Sequence, residues 1–133
     1  MRSLWCAVSG SVGVEVLGTD LLERNLVAAR AGLFGNWSRR PSGPLLHPLF
    51  RQVDPERVSI DERVRKVTTF RRHNLLEPVA DEPFDLIFCR NVLVYFSPDA
   101  SRKAVGYLAA ALAPGGALCF GAMDIGEAPP DLI

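Results

Sequence analysis

The 133-residue chain has no apolar run long enough to cross a membrane, and its formal net charge is zero. A transmembrane helix needs about 20 consecutive apolar residues. The N-terminal run from Leu4 to Val8 is also too short for the hydrophobic region of a signal peptide. A hydrophobic content of 48% with 23% charged residues is ordinary for a soluble globular protein. We therefore expect one cytoplasmic domain over residues 1–133, without membrane insertion.

Cysteine and histidine are scarce. The three cysteines are widely spaced and lie in apolar runs, and neither they nor the two histidines have the spacing of a metal site. These residues are Cys6, Cys89, Cys119, His47 and His73. We expect reduced thiols, no disulfide framework and no bound metal.

The zero net charge conceals an uneven distribution. The segment from Arg39 to Asn74 has nine basic and four acidic residues, whereas residues 75–133 have three basic and eight acidic ones. A basic segment can face an acidic protein or a nucleic acid. Its arginines are dispersed and lack the interleaved aromatic residues that stack on bases. We therefore favour a solvated surface over a nucleic-acid site.

The stretch from Phe84 to Phe96 combines a strand signal with polar side chains. Five of its first six residues are apolar without alternation, which is typical of a strand buried on both faces of a parallel sheet. Arg90 and Asn91 follow this strand directly, and Tyr95 is close by. Because open α/β sheets bind ligands at the carboxyl ends of their strands, these three residues are the first functional candidates.

A helix and a further strand follow this stretch. Ser97-Pro98-Asp99 predicts a helix start, with serine as the N-cap and proline at the first helical position. One face of the predicted helix carries Val105, Leu108, Ala109 and Leu112. Ala113–Gly116 should end the helix, and Ala117–Gly121 should form a strand. This order predicts a right-handed βαβ unit with parallel strands.

The first part of the chain predicts another strand and helix. Val12–Gly18 is mostly apolar and β-branched, and the helix should run from about Leu21 to Ala31, with Gly32 as its left-handed terminator. Asp20 has two interpretations that its position does not separate. It can form a capping box with Glu23, or its carboxylate can accept hydrogen bonds from ribose hydroxyls at the end of the strand.

The middle of the chain predicts a long insert. Gly32–Leu49 is rich in glycine and proline and should be irregular, and Phe50–Asp61 has weak turn and strand signals. A strand is expected near Val67–Arg71, and a loose tail from Met123. The whole order predicts a parallel α/β sheet.

Several motifs occur in an order that resembles the catalytic domain of the CheR-type chemotaxis receptor methyltransferases, which transfer a methyl group from S-adenosylmethionine to glutamate side chains. The block Phe84–Phe96 is the most specific of them. The others are Val16–Asp20, Ala28–Phe34, Asn74–Leu76 and Leu112–Gly116. The resemblance implies a partial Rossmann-like methyltransferase fold of the α/β class, with a small β insert at about residues 39–66.

The resemblance assigns five residues to the binding of S-adenosylmethionine. Asp20 would hold the ribose hydroxyls, and Asn74 with Leu75 would lie along the adenine. Arg90 and Asn91 would line the floor of the site near the methionyl part.

The resemblance also implies the catalytic residues and the partner. Tyr95 would stand near the transferred methyl group, beside Arg90, and the insert would contact a receptor-like protein substrate. A glutamate carboxylate is already ionised at neutral pH, so its methylation needs no general base. Catalysis should therefore depend mainly on positioning.

The sequence departs from the family pattern at both ends. The glycine-rich loop of the form G-C-x-x-G-E-E, with its strand, should precede Val14, but only Met1–Gly13 stands there, which we interpret as the tail of the following helix. We also expect the N-terminal helical domain to be absent, and Asp124 stands where the family usually has a glutamate. Loss of the first strand would leave central sheet edges unpaired. We expect a truncated catalytic domain with weak cofactor binding or none; the alternative is a non-catalytic remnant or interaction module.

Overall fold

The computed structural model describes residues 13–35, 49–80 and 83–124. The described residues divide into two compact units, one that ends at His73 and one that begins at Asn74. The predictions for residues 1–12, for the segment 36–48 and for the tail after Asp124 lie outside the described residues.

The first unit contains a parallel strand pair and a small antiparallel sheet. Its elements are β1 (Val16–Asp20), α1 (Glu23–Ala31), β2 (Leu33–Gly35), β3 (Phe50–Gln52), β4 (Arg57–Ile60), α2 (Glu62–Lys66) and β5 (Thr68–Arg72). Strands β1 and β5 are parallel, with Val16 opposite Thr68 and Asp20 opposite Arg72. The antiparallel sheet has the order β2-β4-β3. Strands β3 and β4 lie within the predicted insert of about residues 39–66, whereas β2 lies before it.

Helix α1 ends as predicted but begins differently. Gly32 closes it in the left-handed conformation at φ 64°, and its N–H donates to the carbonyl of Ala29. The capping-box interpretation of Asp20 is wrong, because the N-cap position is Leu22, two residues after Asp20. Glu23 instead forms an ion pair with Arg30 at 2.6 Å, since both point to solvent on the same side of the helix.

Two predicted strands of this unit are present with different boundaries. Strand β1 begins at Val16 rather than Val12, and the strand predicted from Val67 starts at Thr68. The short helix α2 was not predicted; the carboxylate of Asp61 caps it by accepting the Arg63 N–H at 2.9 Å. Strand β2 forms inside the stretch predicted as irregular because it pairs with β4, a contact between distant residues.

The second unit has the predicted βαβ order. Its elements are β6 (Phe84–Cys89), a 3-10 turn (Leu93–Tyr95), α3 (Pro98–Ala110) and β7 (Leu112–Phe120). Strands β6 and β7 are parallel, which confirms the predicted parallel pairing. The Ser97 hydroxyl accepts the Ala100 N–H at 3.3 Å with Pro98 at the first helical position, so the predicted helix start is also confirmed.

Strand β7 begins five residues earlier than predicted. Leu112 lies opposite Phe84 and Ala117 opposite Leu86, so the residues between them on β7 form an irregularity in the pairing. Leu112 therefore belongs to a strand and not to the apolar face of α3, and Ala109 on that face is exposed. The proline and glycines that predict a helix end are accommodated by the irregular pairing instead.

One hydrophobic core lies between α3 and its sheet. Its buried members are Cys89, Leu93, Ala104 and Leu108, and Ile87 and Val105 are among the half-buried residues packed on it. Burial raises the pKa of the Cys89 thiol to about 11, with a further contribution from the charge of Asp124. Cys89 and Cys119 are both free, as predicted for these two thiols.

Strand β6 is buried on one face rather than on both. Ile87 and Cys89 face the α3 core, whereas Leu86 and Phe88 on the other face are 39% and 38% exposed. Among the described strands, β6 is hydrogen-bonded only to β7, and β1 only to β5. The expectation of burial on both faces is wrong here because helix packing covers one side of this strand pair.

Two classes of feature are absent from the described ranges. No helix within them is long and apolar enough to span a membrane. The same residues contain no group of three or more His, Cys, Asp or Glu side chains that could hold a metal ion.

Candidate functional site

Asp20 lies at the carboxyl end of β1, and both of its carboxylate oxygens are hydrogen-bonded. Oδ1 accepts the Leu22 N–H at 2.8 Å, and Oδ2 accepts a hydrogen bond from the Asn25 side-chain amide at 2.9 Å. A carboxylate has about four acceptor positions, so each oxygen can still accept one more hydrogen bond. The carboxylate is thus held in place without being saturated, and Asn25 is a contact that the sequence did not indicate.

Asn74 and Leu75 begin the second unit in a tight turn. The side-chain oxygen of Asn74 accepts the Leu76 N–H at 3.1 Å, and the Asn74 carbonyl accepts the Glu77 N–H at 2.9 Å. Leu75 packs against the core that contains Leu93. The turn is therefore attached to the same hydrophobic cluster as the segment that follows β6.

The residues after β6 form a loop with exposed polar side chains. Arg90 and Asn91 are exposed, and Tyr95 is 84% exposed. Leu93 is 3% exposed and anchors the loop in the core, and its carbonyl accepts the Ser101 hydroxyl at 3.4 Å. The loop thus presents three of the predicted site residues at the carboxyl end of a parallel strand, where α/β folds bind ligands.

A buried carboxylate from beyond β7 contacts this loop. One oxygen of Asp124 accepts the N–H groups of Val92 and Leu93 at 2.9 and 3.0 Å. The other accepts the Gly121 N–H at 2.9 Å and the Asn91 N–H. Burial alone raises the pKa of Asp124, but these four hydrogen bonds outweigh it and hold the pKa below its ordinary value. The sequence marked Asp124 only as a substitution for glutamate.

The predicted site residues fall in both units. Asp20 belongs to the first unit, and the others, Asn74, Leu75, Arg90, Asn91 and Tyr95, belong to the second. Within the second unit, the shared hydrophobic core joins the turn at Leu75 to the loop at Leu93. The residue types suit S-adenosylmethionine: a carboxylate for hydroxyl groups, a guanidinium for a carboxylate, and an aromatic ring for a cation.

Several described basic residues of the first unit are paired with acids close to them in sequence. Three of them are paired with nearby acids: Arg57 with Asp54 at 2.7 Å, Arg63 with Asp61 at 2.8 Å, and Lys66 with Glu62 at 3.4 Å. The side chain of Arg65 donates to the Arg30 carbonyl at 3.1 Å. These contacts favour the interpretation of this segment as a solvated, locally neutralised surface.

The comparisons with known proteins agree with the resemblance. Residues 5–127 match the family model described as CheR methyltransferase, SAM binding domain. The chain is 37% identical over 114 residues to chemotaxis protein methyltransferase 1 of Vibrio cholerae, covering 84% of this chain and 42% of that protein. It is 36% identical over 122 residues to chemotaxis protein methyltransferase 1 of Pseudomonas aeruginosa, with coverages of 90% and 44%. It is 43% identical over 128 residues to a chemotaxis protein methyltransferase of Listeria innocua, with coverages of 92% and 48%.

The chain spans somewhat less than half the length of these curated relatives. The family match confirms the predicted family, the Rossmann-like α/β fold class and S-adenosylmethionine as the cofactor of the family. It covers nearly the whole chain and includes every predicted site residue. The chain belongs to the CheR methyltransferase family and matches its S-adenosylmethionine-binding domain.

Proposed function

We propose that the chain takes part in S-adenosylmethionine-dependent methyl transfer to glutamate carboxylates of a receptor-like protein in the cytoplasm. The relatives named as chemotaxis protein methyltransferases support this proposal. The structural observation that carries it is the loop after β6, which exposes Arg90, Asn91 and Tyr95 at the end of a parallel strand.

The cofactor contacts follow from the chemistry of each side chain. Asp20 accepts hydrogen bonds from the ribose hydroxyls through the two free acceptor positions of its carboxylate. Asn74 and Leu75 lie along the adenine, and Arg90 with Asn91 binds the methionyl part. In this proposal Asn25 keeps the Asp20 carboxylate in its orientation.

The transfer step needs positioning more than acid–base catalysis. Bound S-adenosylmethionine supplies a methyl group on a sulfonium, and a glutamate oxygen forms the new C–O bond as the C–S bond breaks and its electron pair stays on sulfur. The glutamate is ionised at neutral pH, so no residue has to remove a proton. Holding the two reactants in line is worth up to about 7–11 kcal/mol. Tyr95 orients the positively charged group through its ring.

The antiparallel sheet β2-β4-β3 is the proposed contact for the protein substrate. In the described first unit this sheet is separate from the parallel pair of β1 and β5. The sheet carries two arginines, Arg51 and Arg57, and Arg57 is paired with Asp54. We therefore propose recognition through shape and individual hydrogen bonds rather than through a strong positive field.

Calorimetric titration of the folded chain with S-adenosylhomocysteine tests the cofactor part of the proposal. We expect weak but saturable binding that is lost in Asp20→Ala. Glu23→Ala is the matched control, because it removes a neighbouring carboxylate whose contact is an exposed ion pair with Arg30. Absence of binding by a demonstrably folded sample would overturn the cofactor role of these 133 residues and support the non-catalytic alternative.

Transfer of a labelled methyl group tests the acceptor. We expect the label on a receptor cytoplasmic domain to be released by alkali, since a carboxylate methyl ester is hydrolysed by base. Replacing the acceptor glutamates by alanine should abolish labelling. Alkali-stable label would contradict a glutamate ester.

A further inference from the structure

The carboxylate of Asp124 is surrounded by backbone donors. Each of its two oxygens accepts two N–H groups, so all of its roughly four acceptor positions are used. The residue is 9% exposed, and it forms no ion pair with the part of the chain that the structure describes. The charge is therefore held by peptide dipoles and not by a basic side chain.

Three of the four donors are consecutive residues of the loop after β6. Asn91 has a left-handed backbone at φ 57°, and Val92 follows in the right-handed region at φ −118° and ψ −47°. Alternation of these two conformations turns successive N–H groups toward one point and forms an anion-binding concavity. Asparagine is one of the few residues other than glycine that adopts the left-handed conformation readily.

Gly121 completes this arrangement from the end of β7. A Cβ atom at this position would lie 2.6 Å from Oδ2 of Asp124 and 2.9 Å from Oδ1 of Asn91. Glycine has no Cβ, so the Asp124 carboxylate and the Asn91 side chain can both lie close to the backbone of Gly121, whose N–H donates to Asp124. The four-residue turn from Gly121 to Asp124 is closed by a 3.0 Å hydrogen bond from the Asp124 N–H to the Gly121 carbonyl.

We propose that Asp124 is a positioning residue that fills a backbone anion site and thereby holds Arg90, Asn91 and Tyr95 in the conformation that binds the cofactor. Asp124 touches the backbone at Asn91–Leu93, so it acts through the loop and not on the reacting atoms. The loop has Leu93 as its apolar anchor on one side and Asp124 as its polar anchor on the other. The link to cofactor binding rests on the proposed function. The hydrogen bonds by which Asp124 holds the loop backbone do not depend on that function.

Amide hydrogen exchange of the full chain tests the hold on the loop. In Asp124→Asn, which keeps the size but removes the charge, we expect the N–H groups of Val92 and Leu93 to lose protection by about tenfold or more. The amides that pair β6 with β7 should change little. Leu108→Ala is the matched control, because a core cavity lowers protection throughout this unit without singling out the loop. Unchanged protection at Val92 and Leu93 in Asp124→Asn would overturn the proposal.

Titration of the same variants with S-adenosylhomocysteine tests the positioning role. We expect Asp124→Asn to bind about tenfold more weakly than Leu108→Ala, and Asp124→Glu to recover part of the affinity because it restores the charge. If Asp124→Asn does not fold, Asp124→Glu is compared with the wild type by hydrogen exchange and by titration. We then expect a smaller loss of protection at Val92 and Leu93 and a smaller loss of affinity. Lost protection with unchanged affinity would overturn the positioning role. No binding by the folded wild type would overturn the proposed function, and hydrogen exchange would then decide the loop contact alone.

Discussion

Asp20 shows how a single residue can be pre-oriented for a ligand by its neighbours. Its two oxygens are fixed by a backbone N–H from Leu22 and by the side-chain amide of Asn25. Fixing a side chain before binding lowers the conformational entropy that binding has to remove. Replacing Asn25 should therefore loosen the orientation of the Asp20 carboxylate while leaving the carboxylate in place.

Asn25→Ala should lower affinity for S-adenosylhomocysteine and should change stability only slightly. The lost hydrogen bond to Asp20 corresponds to about 0.5–1.5 kcal/mol, or roughly a twofold to tenfold weaker affinity. The same lost bond lowers the free energy of unfolding, but alanine is a better helix former than asparagine by up to about 0.7 kcal/mol, so the net change in stability should be small. Val27→Ala, at an exposed position of the same helix, is the control for affinity. Equal affinity of Asn25→Ala and the wild type would contradict a role for this contact.

Gly121→Ala should destabilise the second unit. The added Cβ would overlap the Asp124 carboxylate at 2.6 Å and so displace a buried charge from its donors. We expect a loss of about 1–3 kcal/mol in the free energy of unfolding, measured by urea denaturation. Gly106→Ala is the matched control, because a Cβ there meets nothing within 4 Å. Gly106 lies within α3, so this change should stabilise by about 0.5–1 kcal/mol.

Ionisation of Asp124 should contribute to stability down to acid pH. Its folded pKa lies below the ordinary value of 3.8, so the contribution is fully present above the unfolded pKa and is lost as pH falls through the lower folded value. Cys89 is the titratable neighbour that its charge affects, and with a pKa of about 11 it stays protonated throughout this range. Asp54 and Asp61 also have lowered pKa values through hydrogen bonds from Arg57 and Arg63, but both pairs are open to solvent.

Urea midpoints measured between about pH 7 and pH 3 check this contribution. Asp124→Asn should be less stable than the wild type at neutral pH, and the difference should shrink as pH falls below about 4. The exposed pairs of Asp54 and Asp61 are common to both proteins and cancel in the comparison. A difference that stays constant over this range would contradict the role of the charge.

Among the elements, α3 depends most visibly on a local sequence signal. Ser97 accepts the Ala100 N–H, and Pro98 occupies the first helical position, where no N–H is needed. This helix covers one face of the β6–β7 pair with Ala104 and Leu108. Its N-terminus directly follows the loop that carries the site residues, so fraying of its first turn should reach that loop.

Ser97→Ala should lower the free energy of unfolding by about 1 kcal/mol, because the Ala100 N–H loses its acceptor. Ser97→Asp keeps an acceptor at the same position and should retain most of the stability. Urea denaturation of the two variants and the wild type measures the difference. Equal stability of Ser97→Ala and Ser97→Asp would show that the hydroxyl contact is not what begins the helix.

At the scale of the whole molecule, the described residues bury two separate apolar sets, and the hydrophobic core under α3 belongs to the second unit. Cys89, Leu93, Ala104 and Leu108 form it, and every half-buried residue packed against it falls between Leu75 and Phe120. The first unit buries a separate set of residues, Leu26, Ala29, Val58 and Ile60. Two sets of buried residues predict two regions that respond separately to core mutations.

Leu26→Ala and Leu108→Ala should each lower stability by about 2–5 kcal/mol, since both remove a buried leucine side chain. Hydrogen exchange should show the loss at β1, α1 and β5 for the first variant and at β6, α3 and β7 for the second. The two variants serve as controls for each other. Equal loss of protection across both units in either variant would contradict separate cores.

The sequence by itself determined the family and those local elements whose signals lie within a few residues. An apolar run followed by Arg90 and Asn91 predicts a strand and its ligand-binding end, Ser97 with Pro98 predicts the helix start, and Gly32 predicts the end of α1. Each of these signals acts within a few residues. For that reason it can be read from the chain before any tertiary contact is known.

Only the tertiary structure decided the contacts that depend on distant residues. Asp124 reaches Asn91 across 33 positions, β2 forms because it pairs with β4, and β7 starts early because Leu112 lies opposite Phe84. Burial of one face of β6 rather than both was decided in the same way, by which side α3 covers. Such contacts join residues that are far apart in sequence. They depend on the tertiary fold, and no local pattern of residues specifies them.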